Sequence, residues 1–170
     1  MKYIKEILPY IIIVIIVLLI KKFIIAPIKV IGPSMKDTLL DGDIMLLDKM
    51  TYRFSDIERF DIVVIKYNDE LIIKRVIGMP GDTIEYKNNK LYINGKYYEE
   101  PFLATGTNTD SFDLESITSN SVVPKNNYFV LGDNREESKD SRIIGFVNKK
   151  NIEGKAKYTL YPFSRFGSKN

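Results

Sequence analysis

Hydrophobic residues are concentrated in one block near the start of the chain and are spread over short runs afterwards. Residues 11–20 (IIIVIIVLLI) are all aliphatic, and apolar sequence extends over residues 7–26 with only Lys21 and Lys22 as charged interruptions. As a helix, residues 7–26 would be about 30 Å long, which matches the hydrocarbon core of a bilayer. So small a domain cannot cover a run that is apolar on every side. The pattern therefore predicts a transmembrane anchor over residues 7–26.

A cleaved signal peptide is the competing interpretation of this block. The aliphatic run has the length of a signal-peptide core, and Lys2 and Lys5 precede it. However, no Ala-x-Ala-like cleavage site follows, and Pro27 would stand directly after a cut at Ala26. These features favour a retained anchor. Because lysines flank both ends of the run, the positive-inside rule leaves its orientation open.

Beyond the anchor the pattern changes to short runs rich in β-branched and aromatic residues, separated by turn residues. Asn94-Gly95 between two such runs is typical of a type I′ hairpin. The Thr/Ser/Asn-rich residues 105–121 predict an exposed loop. The expected fold is mainly β, an antiparallel sandwich or barrel-like domain after an N-terminal transmembrane helix. The predicted strands are residues 28–31, 44–47, 62–66, 71–77, 83–86, 91–93, 128–131, 143–147 and 156–161.

Composition narrows the possible chemistry. The chain has 170 residues and a net charge of +3, and it contains neither Cys nor His. The length fits one globular domain, and the charge is too small to indicate nucleic-acid binding. The missing residue types exclude disulfides, thiolate or His-ligated metals, and Ser-His-Asp or Cys-His sites. Any catalysis must use Ser, Lys, Asp, Glu or Tyr, and no metal or cofactor is expected.

Two segments carry a serine and a lysine in settings that suit catalysis. Residues 32–33 (Gly-Pro) constrain the backbone before Ser34, and such a turn can present a hydroxyl beside free N–H groups. Lys74 shares a face of the predicted strand 71–77 with apolar residues. If that face is buried, desolvation lowers the pKa of the amine from about 10.4 towards neutrality. Taken singly, a surface serine and a solvent-facing lysine remain the commoner explanations.

A third, polar segment follows a predicted core strand at residues 132–142 (GDNREESKDSR). Asp140 and Arg142 are two residues apart, so they could pair with each other or reach Asp133 and Arg75. Such pairs fix loop geometry more often than they perform chemistry. In a chain without histidine, the three segments together indicate a hydrolytic site with a Ser nucleophile and a desolvated Lys base.

At these residues the chain resembles the type I signal peptidases, of the small, single-anchor kind found in Gram-positive bacteria. The resemblance covers nearly the whole chain. The motif that contains Lys74, K-R-V-I-G-M-P-G-D, is highly specific for this family in combination with the G-D-N-R and S-x-D-S-R motifs. The matching motifs are S-M-x-x-T-L (34–39), G-D-I (42–44), F-D-I-V-V (60–64), K-R-V-I-G-M-P-G-D (74–82), N-G-K (94–96), E-P-F-L (100–103), V-P-K-N-N-Y-F-V-L-G-D-N-R (123–135), S-x-D-S-R (138–142) and G-K-A (154–156).

The resemblance implies a role for each matching residue. Ser34 would attack the scissile carbonyl, and its backbone N–H would bind the oxyanion. Lys74 would be the neutral general base that later protonates the leaving amine. Ser138 would hydrogen-bond the Lys74 amine, while Asp140 and Arg142 would hold their loop together.

The resemblance also implies how substrate and membrane are arranged. A signal peptide would lie as an added β-strand between the segments before Ser34 and before Lys74, with small residues, normally Ala, at −1 and −3. Residues 1–6 would be cytoplasmic, 7–26 would form the anchor, and 27–170 would be the extracytoplasmic catalytic domain. The expected partners are signal peptides of secretory preproteins and membrane lipid, with no nucleic acid, and the expected state is a monomer. The residues expected to bind substrate are Ile28, Val30, Met35, Leu39, Ile72 and Ile73.

One position departs from the family pattern. The family usually has proline in S-M-x-P-T-L where this chain has Asp37. A carboxylate within about 6 Å of Lys74 would favour the ammonium and oppose its action as a base. We therefore expect a higher alkaline limb of the pH–rate profile than in a proline-containing relative.

Two other functions fit parts of the sequence. Self-cleaving domains of regulatory repressors share the Ser/Lys dyad and a similar fold, but they carry a DNA-binding helical domain and an Ala-Gly cleavage segment in place of an anchor. The second is a non-catalytic, membrane-anchored β-domain that binds exported chains after losing activity, for instance through Asp37. The joint presence of Ser34, Lys74 and Ser138 argues against such a loss.

Overall fold

The computed structural model describes residues 2–169, with side chains described for residues 6–169. The helices are α1 (Lys2–Phe23), α2 (Thr51–Phe54), α3 (Leu114–Thr118) and α4 (Ser141–Ile144), with 3₁₀ turns at Lys149–Asn151 and Phe163–Arg165. The strands are β1 (Ile25–Lys29), β2 (Ile44–Asp48), β3 (Ile62–Tyr67), β4 (Glu70–Gly78), β5 (Ile84–Lys87), β6 (Lys90–Ile93), β7 (Lys96–Tyr98), β8 (Phe112–Asp113), β9 (Asn127–Leu131), β10 (Val147–Asn148), β11 (Ile152–Tyr161) and β12 (Gly167–Ser168).

The strands of residues 2–169 form two antiparallel sheets. The larger sheet has eight strands in the order β1-β2-β11-β3-β4-β9-β10, with β12 paired to β11, and the smaller sheet has the order β7-β6-β5-β8. Asn94 and Gly95 connect β6 to β7 and both have positive φ, at 52° and 74°. A type I′ turn requires left-handed conformations at both central residues, so the predicted hairpin is confirmed.

The middle of the larger sheet is buried on both faces. In β3, the side chains of Ile62 and Val64 pack in one hydrophobic cluster, whereas Val63 and Ile65 pack in another on the opposite face. A third cluster joins β4 and β9 to the smaller sheet through residues such as Phe129. The neighbouring strand β4 is buried from residue 73 to residue 78.

The mainly β, antiparallel class is confirmed, but the barrel-like arrangement is not. Within residues 2–169 neither sheet closes on itself, because β1 and β10 stand at opposite ends of the strand order. Strand β10 has two residues, and among residues 2–169 its strand partner is β9. So short a strand offers too few hydrogen bonds to carry the sheet further round.

The predicted strand 143–147 is wrong over most of its length. Residues Ser141–Ile144 form helix α4, and only Val147 of the predicted range enters a strand. The cause is local, because the Asp140 carboxylate caps this turn by accepting a hydrogen bond from the Arg142 N–H at 3.3 Å. Cap chemistry outweighs the β preference of the isoleucines.

The segment 105–121, expected to be an exposed loop, carries structure and buried side chains. It contains β8 and α3, and Thr109 and Leu114 are 3% and 1% exposed. Helix α3 begins with a capping box between Asp113 and Ser116. Asp and Ser are also typical of loops, so the sequence analysis did not recognise the capping box as the start of helix α3.

The N-terminal helix ends earlier than the predicted anchor. Helix α1 stops at Phe23, and Ile25 and Ala26 belong to strand β1, where they pair with β2. Large hydrophobic side chains over residues 7–20 are 38–70% exposed. Within residues 6–169, no helix combines the length and the apolar character needed to cross a membrane. Apart from Glu6, the predicted cytoplasmic segment lies outside the residues whose side chains are described.

Candidate active site

The side chains of Ser34 and Lys74 meet at a surface cavity. Lys74 Nζ lies 2.7 Å from Ser34 Oγ and 3.0 Å from the carbonyl oxygen of Ile73. Lys74 stands in β4 opposite Val63 of β3, whereas Ser34 lies in a turn a few residues after β1. The two residues are 40 positions apart, so their contact depends on how the larger sheet is assembled.

Lys74 is almost completely removed from solvent. Lys74 is 3% exposed, and this burial lowers the pKa of its amine to about 8. The carboxylates of Asp140 and Asp133 act in the opposite direction and favour the ammonium, but they do not cancel the desolvation. Near pH 8 half of the molecules therefore hold a neutral amine beside the Ser34 hydroxyl, which is the arrangement of a base with its nucleophile.

The turn that carries Ser34 is held from both ends. Gly32 has φ +83°, a conformation that favours glycine, and its N–H donates to Asp41 Oδ1 at 2.8 Å. On the other side, Met35 and Leu39 are 1% and 0% exposed and fix the turn to the core. Within residues 6–169 the N–H of Ser34 donates no hydrogen bond, so it is free to bind a ligand oxygen.

The loop that follows β9 docks directly on this turn. Asn134 donates from its N–H to Ser34 O at 3.1 Å and from Nδ2 to Pro33 O at 3.2 Å. Gly132 lies so close that a Cβ at this position would overlap Ser34 O and Ser138 Oγ. The approach of the two segments therefore requires glycine at position 132, a functional residue that the sequence analysis treated only as part of a motif.

Asp140 and Arg142 pair with each other, which is one of the two arrangements that the sequence left open. Arg142 donates from Nε to Asp140 Oδ1 at 2.9 Å and from Nη2 to Asp140 Oδ2 at 2.8 Å, a bidentate pair. The fully buried Asp140 also accepts from the Gly132 N–H at 3.0 Å, and Arg142 Nη2 donates to Arg135 O at 2.6 Å. The pair thus ties the two ends of the loop together.

Ser138 makes no hydrogen bond to Lys74 in this structure. Its Oγ is buried and has no hydrogen-bond partner in the described part of the chain, so the expected bond to Lys74 is not formed here. Lys74 Nζ is instead directed at Ser34 Oγ and at the Ile73 carbonyl. Ser138 lies against Gly132, close to the same site.

A buried arginine beside the lysine anchors the loop to the sheet. Arg75 donates from Nε to Asp133 Oδ1 at 2.9 Å and from Nη2 to Asp133 Oδ2 at 2.7 Å. Thr38, which the sequence analysis did not single out, donates to Asp133 Oδ2 at 2.6 Å. The carboxylates of Asp133 and Asp140 are thus both paired with arginines. Residues 6–169 contain no group of three or more acidic side chains that could hold a metal ion.

Arg135 joins the same loop to the smaller sheet. It is 2% exposed, and Nη1 donates to Tyr86 OH at 2.6 Å and to Thr109 Oγ1 at 3.1 Å. Its Nη2 forms an ion pair with Glu100. Sequence reasoning missed these partners, although Arg135 and Glu100 both stand inside the quoted motifs, because their contact spans 35 positions.

The cavity at Ser34 and Lys74 has a volume of about 390 Å³. Ile72 is the only one of the six residues expected to bind substrate that lines it. The remaining five, which point into the core instead, are Ile28, Val30, Met35, Leu39 and Ile73. Lining residues that were not expected are Ile31, Tyr67, Asn68, Glu70, Lys139 and Ile144.

One edge of β4 is open beside this cavity. Strand β9 pairs with β4 only between Arg75 and Gly78, whereas β3 pairs with β4 from Glu70 onwards. In the described chain, residues 70–74 therefore have a strand neighbour on one side only. An edge of this kind can accept an extended peptide as a further strand.

Asp37 does not act on Lys74 as expected. Its side chain is exposed, and the charges that raise the pKa of Lys74 are those of Asp140 and Asp133. Asp37 instead has φ +79°, in the left-handed region. Proline, which is fixed near φ −65°, cannot adopt this conformation.

Comparison with known proteins assigns the chain to a family. The model of the family described as signal peptidase, peptidase S26, matches residues 2–161. Signal peptidase IB of Staphylococcus aureus (strain COL) is 39% identical over 95% of this chain and 93% of its own length. Signal peptidase I V of Bacillus subtilis (strain 168) is 45% identical over 83% of this chain and 89% of its own.

A solved structure agrees with these relatives. The crystal structure of a signal peptidase I from Enterococcus faecalis V583 is 40% identical, with a TM-score of 0.55, over 59% of this chain and 97% of that one. The chain belongs to the signal peptidase, peptidase S26, family, and it is a serine peptidase.

Proposed function

We propose that this chain removes signal peptides from exported preproteins, with Ser34 as the nucleophile and Lys74 as the general base. The observation that carries the proposal is the 2.7 Å separation of Lys74 Nζ and Ser34 Oγ, at a lysine whose burial lowers its pKa to about 8. The names of the relatives, signal peptidase IB and signal peptidase I V, support the substrate class.

The proposed reaction begins with the neutral amine of Lys74. It takes the proton of the Ser34 hydroxyl as Oγ attacks the scissile carbonyl, and the free Ser34 N–H donates to the oxyanion of the tetrahedral intermediate. The Lys74 ammonium then protonates the leaving amine, and the acyl-enzyme remains. Lys74 next takes a proton from water, which attacks the ester. It then returns this proton to Ser34 Oγ as the acyl bond breaks, which releases the signal peptide and restores the neutral amine.

We propose that the substrate lies extended along the open edge of β4. Side chains at −1 and −3 of an extended chain point to the same side. In this arrangement they would lie over Ile72, which lines the cavity, while the adjacent Ile73 belongs to a closely packed core cluster. Because a packed core leaves little depth, small residues such as Ala at −1 and −3 are favoured.

Ser138, Asp140 and Arg142 are proposed as positioning residues. The buried Ser138 Oγ has no partner among residues 6–169, and an unsatisfied buried hydroxyl costs free energy. A turn of the protonated Lys74 side chain towards Ser138 would satisfy this oxygen after the first proton transfer. Asp140 and Arg142 would keep the loop in place during that movement.

We also propose that α1 is a membrane anchor, with the N-terminus cytoplasmic and the catalytic domain outside. Support comes from the exposed aliphatic side chains of residues 11–20, which a bilayer would cover. Residues 7–23 as a helix span about 26 Å, slightly less than the hydrocarbon core. Local thinning of the bilayer and snorkelling of Lys21 and Lys22 would make up the difference.

The test is cleavage of a precursor with an Ala-x-Ala signal peptide by the full chain in detergent or liposomes. Wild type is compared with Ser34→Ala and Lys74→Ala, and with Ser121→Ala and Lys125→Ala as matched controls at exposed positions. We expect a new N-terminus directly after the −1 Ala, loss of cleavage in both site variants, and full activity in both controls. Cleavage that survives Ser34→Ala would overturn the mechanism, and a folded but inactive wild type would favour the non-catalytic binding domain.

A further inference from the structure

A second cavity lies at the end of helix α1 and shares no lining residue with the catalytic cavity. Its volume is about 390 Å³. This is the volume of about a dozen water molecules, at about 30 Å³ each in the liquid, and it is large enough for a phosphate ester with its glycerol. Glu153 is the acidic residue among those that line it. The basic lining residues are Lys22, Lys49, Arg53, Lys149 and Lys150.

Most of this positive charge has no partner of opposite sign. Within residues 6–169, Lys22, Arg53 and Lys150 form no ion pair. In the described part of the chain, the ammonium of Lys149 pairs with the carboxylate of Asp56 at 3.7 Å, and the Asp56 side chain is 97% exposed, which makes the pair weak. The lining of the cavity therefore carries a net positive charge, with five basic residues against one acidic residue.

One of these cations, Lys49, interacts with the C-terminal end of helix α1. Lys49 Nζ donates to the carbonyl oxygens of Lys21 and Lys22 at 3.4 and 3.2 Å, where it stabilises the negative end of the helix dipole. Arg53 and Lys150 come from α2 and from the 3₁₀ turn before β11, and they make no such bond. Their convergence on one cavity indicates an anionic ligand.

The surroundings of the cavity indicate that this ligand is part of a lipid. Phe23 lines the cavity, and Phe54, which is 82% exposed, is the direct neighbour of Arg53 in α2. Aromatic rings beside basic side chains are typical of the membrane–water interface. The end of α1 lies at that interface if the helix is the anchor proposed above, and the inference rests on that part of the proposed function.

We propose that this cavity binds the phosphate group of an anionic phospholipid. Arg53 and Lys150 contact the phosphate, Phe54 inserts among the acyl chains, and the catalytic domain is thereby held at a fixed height on the membrane.

The test uses the full chain in nonionic detergent micelles and native mass spectrometry to count bound lipids. The probes are phosphatidylglycerol, phosphatidylcholine and soluble glycerol phosphate. The variant is Arg53→Gln with Lys150→Gln, and the matched control is Lys87→Gln with Lys125→Gln, two exposed lysines outside the cavity. Cleavage of an Ala-x-Ala peptide is measured in the same micelles as an independent readout.

We expect wild type and control to bind phosphatidylglycerol at least about tenfold more tightly than phosphatidylcholine, and the variant to lose this preference with its cleavage rate unchanged. Equal phosphatidylglycerol binding by variant and wild type would overturn the site. Displacement of the lipid by equimolar glycerol phosphate would overturn the lipid as its ligand. Lipid preference without peptide cleavage would support this site and count against the proposed peptidase, whereas cleavage without lipid preference would do the reverse.

Discussion

Gly132 lies against Ser34 at a contact that leaves no room for a side chain. A Cβ at position 132 would overlap both the Ser34 carbonyl oxygen and Ser138 Oγ. The Asn134 N–H completes the contact by donating to the same carbonyl at 3.1 Å. The nucleophile turn and the polar loop after β9 are therefore assembled through backbone, and their relative position is sensitive to a single methyl group.

Gly132→Ala should reduce cleavage by at least about 100-fold, because the overlap pushes Ser34 away from Lys74 and small misplacements of reacting groups are costly. Cleavage rate and thermal unfolding are the measurements. Gly106→Ala is the control, since Gly106 has open space around it and φ +89°. It should lose about 1–2 kcal/mol of stability and no activity. An active Gly132→Ala enzyme would show that the contact is not needed.

The pH–rate profile should have an acid limb near pH 8, because Lys74 acts only as a neutral amine and its pKa is lowered to about 8. The charge of Asp140 favours the ammonium, so Asp140→Asn should lower the pKa of Lys74 and move the limb to lower pH, even though the maximal rate falls. Asp37→Asn should leave the limb in place, since Asp37 is not among the charges that act on Lys74. The measurement is the logarithm of kcat/KM against pH for wild type, Asp140→Asn and Asp37→Asn. An unmoved limb in Asp140→Asn would contradict the assignment of the limb to Lys74.

Lys74→Met should fold more stably than wild type at pH 7. The folded state lowers the pKa of Lys74 from 10.5 to about 8, so the buried ammonium destabilises the fold by on the order of 3 kcal/mol below pH 8. This penalty declines between pH 8 and 10.5, as the amine loses its proton in the unfolded chain also. Denaturant unfolding at pH 7 and pH 10 should show the advantage of the variant shrinking with pH. A Lys87→Met control, at an exposed lysine, should show no such trend.

Asp37→Pro should destabilise the fold by more than about 2 kcal/mol, although proline is usual at this position in the family. Asp37 has φ +79°, and proline would force the turn that carries Ser34 to rearrange. Asp37→Gly, which adopts this φ without strain, should stay within about 1 kcal/mol of wild type. Thermal unfolding measures the stability of both variants against wild type. An Asp37→Pro protein as stable as wild type would contradict the left-handed conformation at position 37.

Much of the fold was predictable because it depends on neighbours in sequence. The strands at residues 44–47, 62–66 and 91–93 are found where alternation and turn residues indicated them, and the Asn94-Gly95 turn has the required φ angles. Helix α4 and the early end of α1 were missed. A carboxylate cap and the pairing of β1 with β2 outweigh the local apolar pattern there.

The sequence by itself determined the available chemistry. A chain without Cys and His, with a serine after Gly-Pro and a lysine in an apolar run, has few ways to build a hydrolytic site. Only the tertiary structure decided that Lys74 is buried, that Ser138 Oγ has no hydrogen-bond partner among residues 6–169, and that five expected pocket residues belong to the core. These properties depend on which faces of β3 and β4 are covered and on contacts between residues 40 to 100 positions apart, and no local pattern encodes them.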